Sequence, residues 1–286
     1  MPFSSIAILS PGLLGGSLAL AVRQRMPGVR IRVWARSEKG AQTALARGAA
    51  DIAGTDVEEI ARGADLIVFC MPIGAMPGVA ERIAAVVGPE TLITDVGSVK
   101  EPVVEKLGAI FRGRAQFIGS HPMAGSEQTG IDAARADLFE GAVAFVTPEQ
   151  GARRETVSAM ASFWETMGCR VSITNPRAHD DAVAVVSHLP HLAAAVLVQT
   201  AMQENPASLE WRGNGFLDTT RVASGPAPMW TEILLQNREP VKKAIHAMIE
   251  NLAAVSKLLD AADAEQIEHY LAGAGETRNR LKSKCP

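Results

Sequence analysis

His121 stands in "FIGSHPMAGSEQTG" (117–130), where a short apolar run gives way to a Pro-Met-Ala-Gly turn. A histidine at the end of a buried strand can exchange a proton with a bound molecule, because its unperturbed pKa of about 6.5 is close to neutrality. The same position also suits a histidine that caps a turn and does nothing more. Ser98, in "DVGSVKE" (95–101), has two compatible roles. With Glu101 it forms a capping box, which uses the serine oxygen as acceptor and leaves the hydroxyl proton free for a substrate. Lys100 beside it reads as a solvated first-turn residue. Ser187, His188 and His191 lie in "VSHLPHL" (186–192), with the two histidines on one face of an otherwise apolar helix. Burying two imidazoles without partners is costly, so this face is expected to line a cavity. No third ligand accompanies the H-x-x-H pair, and no metal is expected. Downstream, "FLDTTRVASGPAPMW" (216–230) offers Arg221, a natural fork for a carboxylate, together with Asp218 and Trp230. Helix capping and core packing would account for those last two equally well.

A second kind of chemistry is written at the start of the chain. "IAILSPGLLGGSLA" (6–19) matches G-x-G-x-x-G at Gly12 and Gly15, with Leu13 and Leu14 between them and Ser10 at the first glycine position. Gly12 would let the backbone approach a pyrophosphate, Gly15 would let helix and strand pack closely, and the helix N-terminus would supply free N–H groups. At the end of the second strand, "VWARSEKG" (33–40) places Ala35 where an NAD site carries an acid, followed by Arg36 and Ser37. A guanidinium and a hydroxyl welcome a 2′-phosphate, so NADP is favoured over NAD. The alternative is a solvated Arg36, with Glu38 binding the ribose.

These residues need elements to hold them. Short apolar runs at 5–9, 29–33, "DLIVFCMP" (65–72), "TLITD" (91–95) and "QFIGS" (116–120) alternate with helical stretches. Strands separated by helices imply a parallel sheet with right-handed crossovers. Ligands in such sheets sit at the carboxyl ends of the strands, where Pro72, the 95–101 loop and His121 fall. "AVAFVT" (142–147) reads as the last strand of the unit. After residue 150 the texture turns to Ala- and Leu-rich helix, apart from a short strand at 169–174. The expected fold is therefore α/β, a Rossmann-type dinucleotide-binding domain over 1–150 and a helical domain over 151–286. Asn175-Pro176 should start one helix, Glu239-Pro240 another, and Asp263 should cap the last. Pro190 should kink the apolar helix.

The 286 residues are 47% hydrophobic and carry a net charge of −3 with the basic residues dispersed, which disfavours nucleic acid and anionic membrane as partners. Three cysteines without metal-type spacing and no export signal point to a reduced, cytoplasmic setting. The nearest approach to a membrane span, 182–202, is interrupted by two histidines and a proline and reads as a helix buried in a domain or dimer core.

The stretches "LSPGLLGGS", "DVGSVK", "GSHPMAGSE", "SHLPH" and "DTTRVASGPAPMW", in this order through most of the chain, resemble the prephenate/arogenate dehydrogenases of tyrosine biosynthesis. The resemblance implies oxidation of a cyclohexadienol. Hydride leaves C4 for the nicotinamide, the C4 hydroxyl loses its proton, and loss of the ring carboxylate gives an aromatic product. It implies that His121 is the base, that Ser98 orients the hydroxyl, and that Arg221 binds a substrate carboxylate. His191, Ser187, Glu127, Asp218 and Trp230 match positions lining the site. It also implies a homodimer through the helical domain. The departures, Ser10 for glycine and Ala35 for the acid, bear on the cofactor. The extent of the chain suggests a catalytic subunit without an appended mutase or regulatory domain. Two rivals remain: a β-hydroxyacid-type dehydrogenase, which would need a lysine from the helical domain, and an NADP-sensing protein without turnover.

Overall fold

The computed structural model describes residues 3–126 and 128–282. Its first strand, β1 (Ser5–Leu9), is buried at every position but the first and runs into α1 (Leu13–Arg25). There follow β2 (Arg30–Trp34), α2 (Glu38–Ala46), β3 (Ile52–Gly54), α3 (Val57–Ala61), β4 (Leu66–Phe69), α4 (Met76–Ile83), β5 (Leu92–Asp95), α5 (Glu101–Phe111) and β6 (Gln116–Phe117). The six strands pair in parallel in the order β3-β2-β1-β4-β5-β6. β4 and β5 are continuous apolar or small runs because helices cover both faces of the sheet. The order reverses between β1 and β4, leaving a crevice at their carboxyl ends. The expected Rossmann-type domain is present, with β3 as a strand that periodicity did not show.

The run 116–120 is not one strand. After β6 the Ile118 N–H still donates to Ile93 O at 2.9 Å, and the chain then leaves for a second sheet. There β7 (Gly119–Pro122) pairs antiparallel with β8 (Val143–Thr147), and β9 (Arg170–Ile173) pairs parallel with β8. So 142–147 is not the last strand of the parallel sheet, and His121 is the third residue of β7, opposite Phe145. Between β8 and β9, α6 (Arg154–Thr166) buries Phe163 and Trp164 fully against Phe3 and Phe139. The boundary expected at residue 150 falls inside this packing.

Asn175 caps the next helix by accepting from the Ala178 N–H at 2.8 Å, with Pro176 at the first position as expected. The helix runs as α7 (Pro176–Val183), a π-helical turn (Ala184–His188) and α8 (Leu189–Glu204). Pro190 has no N–H to donate four residues back, and the ladder widens just before it instead of breaking. By length and composition alone, Pro176–Glu204 could cross a membrane. The reading of this helix as buried needs correction for the single chain. Only 28% of its most apolar window is covered, with Val185, Val186, Val196, Leu197 and Met202 exposed. Two short helices, α9 (Asn214–Thr220) and α10 (Ala227–Gln236), complete a compact unit that reaches Asn237. From Arg238 a second unit begins, made of α11 (Arg238–Asp260) and α12 (Ala264–Lys282). Asp263 caps α12 through the Gln266 N–H at 3.0 Å.

Candidate active site

The β1–α1 turn is built as a cradle. Ser10 adopts φ +83°, the left-handed conformation usually given to glycine at this place, and its N–H donates to Trp34 O at 2.9 Å. Gly12 caps α1 without a side-chain bond, and a Cβ there would meet nothing within 4 Å, so the surface above it is open to a ligand. At Gly15 the situation reverses: a Cβ would run into the Ser10 carbonyl and come to 3.0 Å from Cys70 Cβ. Gly16, not singled out from the sequence, is closed in the same way by Ala134 and Ile131. Leu13 and Leu14 pack partly buried at the start of the helix, whose first amides stay free. These features fit a pyrophosphate.

Beyond β2, Ala35 is buried, and Arg36 and Ser37 are exposed. Ser37 Oγ accepts from the Gly40 N–H at 3.2 Å, leaving its own proton uncommitted. Arg36 makes no ion pair among the described residues. Pro72 is exposed just after β4, beside a 3-10 turn whose Gly74 N–H is bound by the Glu232 carboxylate of α10.

His121 is only 6% exposed, and its partner comes from a distant element. Its Nδ1 lies 2.8 Å from Nε2 of His179 on α7. His179 Nδ1 lies 2.7 Å from Asp180 Oδ1, and the Asp180 carboxylate accepts the Lys100 and Glu101 N–H groups at 2.7 and 2.8 Å. The N-terminus of α5 is thus capped by Asp180, and the Ser98–Glu101 capping box does not form. A carboxylate from another helix satisfies two amides at once and displaces the local serine. The Ser98 hydroxyl is half-buried on the β5–α5 loop and bonds no group among the described residues. Lys100 is fully buried, not solvated. Its Nζ binds Asp95 and donates to Ser120 O at 2.8 Å, while Asp95 also receives the Ser120 and Gly97 N–H groups. Burial holds the His121 pKa well below the usual 6.5, and the fields of His179 and Lys100 push the same way.

A second cluster adjoins the first. Asn237 Nδ2 donates to Asp180 O at 2.9 Å and lies 3.1 Å from His188 Nδ1. The His188 ring meets Trp230 edge-on at 6.2 Å, and His191 stacks on Trp230 at 3.6 Å and 9°. Gly225 fits beneath both rings, since a Cβ would strike the Trp230 indole. His188 Nε2 and His191 Nδ1 are buried without hydrogen bonds among the described residues, and burial brings His188 to a pKa of about 4. His188 and His191 are therefore buried together and packed against the half-buried Trp230. Ser187 is half-buried on the π turn, while Asp218 and Arg221 are exposed on α9 and the 3-10 turn Arg221–Ser224. The backbone of Val222, next to Arg221, accepts from the His191 ring. Glu127 lies outside the described residues.

The nucleotide-binding domain of prephenate dehydrogenase matches residues 18–173, and the dimerization domain of prephenate dehydrogenase matches residues 175–273. The chain belongs to the prephenate dehydrogenase family. Prephenate dehydrogenase of Bacillus subtilis is 33% identical over 97% of this chain and 76% of that protein. The structure of prephenate dehydrogenase from A. aeolicus in complex with hydroxyphenyl propionate and NAD+ superposes with a TM-score of 0.92 at 28% identity, over 98% of this chain and 99% of that one. Arogenate dehydrogenase of Synechocystis gives 0.85 at 28% identity, over 97% and 99%.

Within this member of the prephenate dehydrogenase family, sequence reasoning passed over His179, Asp180, Asn237 and the buried Lys100–Asp95 pair. "HDDA" (179–182) did carry a signal: on α7 it sets His179, Asp180 and Val183 on the buried side of the helix.

Proposed function

We propose that the protein oxidatively decarboxylates prephenate to 4-hydroxyphenylpyruvate, arogenate to tyrosine, or both. One observation carries the reading: a histidine buried and held below its usual pKa stands in the nucleotide-binding domain of a chain whose family is that of prephenate dehydrogenase. A bound nicotinamide dinucleotide supplies the hydride acceptor. His121 takes the C4 hydroxyl proton as the C4–H hydride departs, and the electron pair of the ring–carboxylate bond closes the aromatic ring as CO2 leaves. Ser98, with its hydroxyl uncommitted, orients the C4 oxygen. His191, Ser187 and Trp230, with Glu127 and Asp218, line the site, and Arg221 binds a substrate carboxylate.

The finer choices follow from particular residues. Ala35 with Arg36 and Ser37 favours NADP over NAD, since no carboxylate stands where a 2′-phosphate would sit. The match to a dimerization domain and the exposed valines of the π turn and α8 support a homodimer. A cytoplasmic location and the absence of nucleic-acid and membrane partners complete the proposal.

The test is the appearance of reduced nicotinamide in four mixtures, prephenate or arogenate with NAD or NADP. Reduction in any of them supports the reading and selects the pair. Silence in all four from folded protein would overturn it in favour of an NADP-binding protein without turnover.

A further inference from the structure

We propose that His179 and Asp180 form a positioning relay that fixes the tautomer of His121 and leaves its Nε2 as the bare, proton-accepting nitrogen. The assignment starts at the far end. Asp180 is held in place by the two α5 amides, so the oxygen facing His179 is an acceptor already oriented by Lys100 N–H. At 2.7 Å from that oxygen, His179 Nδ1 must carry a hydrogen, because a bare nitrogen there would set lone pair against lone pair. Burial keeps His179 neutral, although Asp180 pulls the other way, so its single proton is spent on Nδ1 and Nε2 is an acceptor. Nε2 of His179 lies 2.8 Å from Nδ1 of His121, and the same logic places the His121 proton on Nδ1. His121 Nε2 is then bare and bonds no group among the described residues.

The relay is built to be rigid. His179 is fully buried and edge-on to both Phe145 and His121, with ring centroids 5.0 and 5.1 Å away. Asn237 adds a bond to the Asp180 carbonyl. None of these residues needs to touch substrate. An imidazole free to choose would divide its proton between the two nitrogens, and each molecule with Nε2–H would be unable to accept the hydroxyl proton. This inference rests on the proposed role of His121, so its test includes a readout that does not depend on turnover.

The experiment uses the full-length protein with 15N-labelled histidine rings and two variants, His179→Leu and His179→Gln. Ring-nitrogen NMR of the wild type should show His121 protonated at Nδ1 and bare at Nε2; the opposite pattern overturns the relay whatever the activity. His179→Leu should lower kcat about 10²-fold with KM and cofactor Kd little changed, and should mix the His121 tautomers. His179→Gln, whose amide oxygen can accept from His121 Nδ1, should restore both the spectrum and turnover to within about tenfold of wild type. A fully active His179→Leu, or a folded Gln variant no better than Leu, overturns the proposal. If His179→Leu does not fold, the wild-type spectrum and the Gln variant decide. Correct ring spectra without turnover on either dienol would instead remove the functional reading and leave the relay standing.

Discussion

The carbonyl of Ser10 lies inside contact distance of the place a Cβ on Gly15 would occupy, so the strand end and the first turn of α1 meet backbone to backbone. This contact is what lets α1 point its free amides over the crevice between β1 and β4. It gives the first expectation. Gly15→Ala should destabilise the protein by about 1–3 kcal/mol, the usual cost of overpacking, and weaken dinucleotide binding. Ser10→Gly should do the reverse. Releasing a non-glycine residue from φ +83° should gain about 0.5–1 kcal/mol once the added freedom of the unfolded chain is set against it. Thermal melts with cofactor titrations read both.

Arg36→Ala should weaken NADP binding about tenfold and leave NAD binding nearly unchanged. Ala35→Asp should shift preference in the same direction by putting a carboxylate beside the ribose. Titrating both dinucleotides against both variants is enough. Equal losses for the two cofactors would show that Arg36 does not read the phosphate.

His121→Asn should keep cofactor affinity and lower turnover by about 10²–10⁴, the usual weight of a general base. Unchanged turnover would remove His121 from the chemistry.

The histidines also set the acid side of the pH response. His121, His179, His188 and His191 all titrate below the ordinary value, chiefly through burial, His188 at about 4. Unfolded histidines take up protons near pH 6.5, the folded ones only at lower pH. Below 6.5 the unfolded chain therefore holds more protons, and stability is lost as pH falls, each group adding at most about 1.4 kcal/mol per pH unit. Urea midpoints at neutral pH and at about pH 5 should show this loss. The same depression keeps His121 unprotonated below 6.5, so the acid limb of kcat/KM should lie under that value.

Val186→Glu places a charge on the most exposed valine of the π turn. If this face is covered by a second copy of the chain, light scattering should show a shift from dimer to monomer with helicity preserved. A dimer that survives would place the contact elsewhere.

The nucleotide cradle was legible because it is local: Gly12 and Gly15 act on the backbone between adjacent elements, and the pattern of six residues carries the geometry. His121 was legible as a residue but not in its setting. Ile118, Gly119 and Ser120 continue the apolar and small run of β6, so nothing in the sequence marks the step from one sheet to the next. His179 could not be assigned to His121 from spacing, since 58 positions separate them and only the packing of α7 on α5 and β8 joins them. Lys100 illustrates the opposite error. A lysine in a first helical turn is ordinarily solvated, and only the fold reveals that Asp95 and the Ser120 carbonyl wait for its ammonium. The capping box failed for a related reason, because a stronger acceptor arrives from Asp180.

The burial of Lys100 and Asp95 also separates two parts of the protein by their response to ionic strength. Among the described residues, the charged side chains of the His121 cluster, Lys100, Asp95 and Asp180, are at most 3% exposed and out of reach of mobile ions, whereas Arg36 stands in solvent. At about 0.1 M salt the Debye length is near 10 Å, so screening acts on the surface guanidinium and hardly at all on the interior pair. Added salt should therefore raise the Kd for a phosphorylated dinucleotide while the proton-transfer step keeps its pH midpoint. If Arg36 reads the cofactor's phosphate, a cell that changes its salt load would alter how well the protein fills with cofactor while leaving the buried charges around His121 untouched.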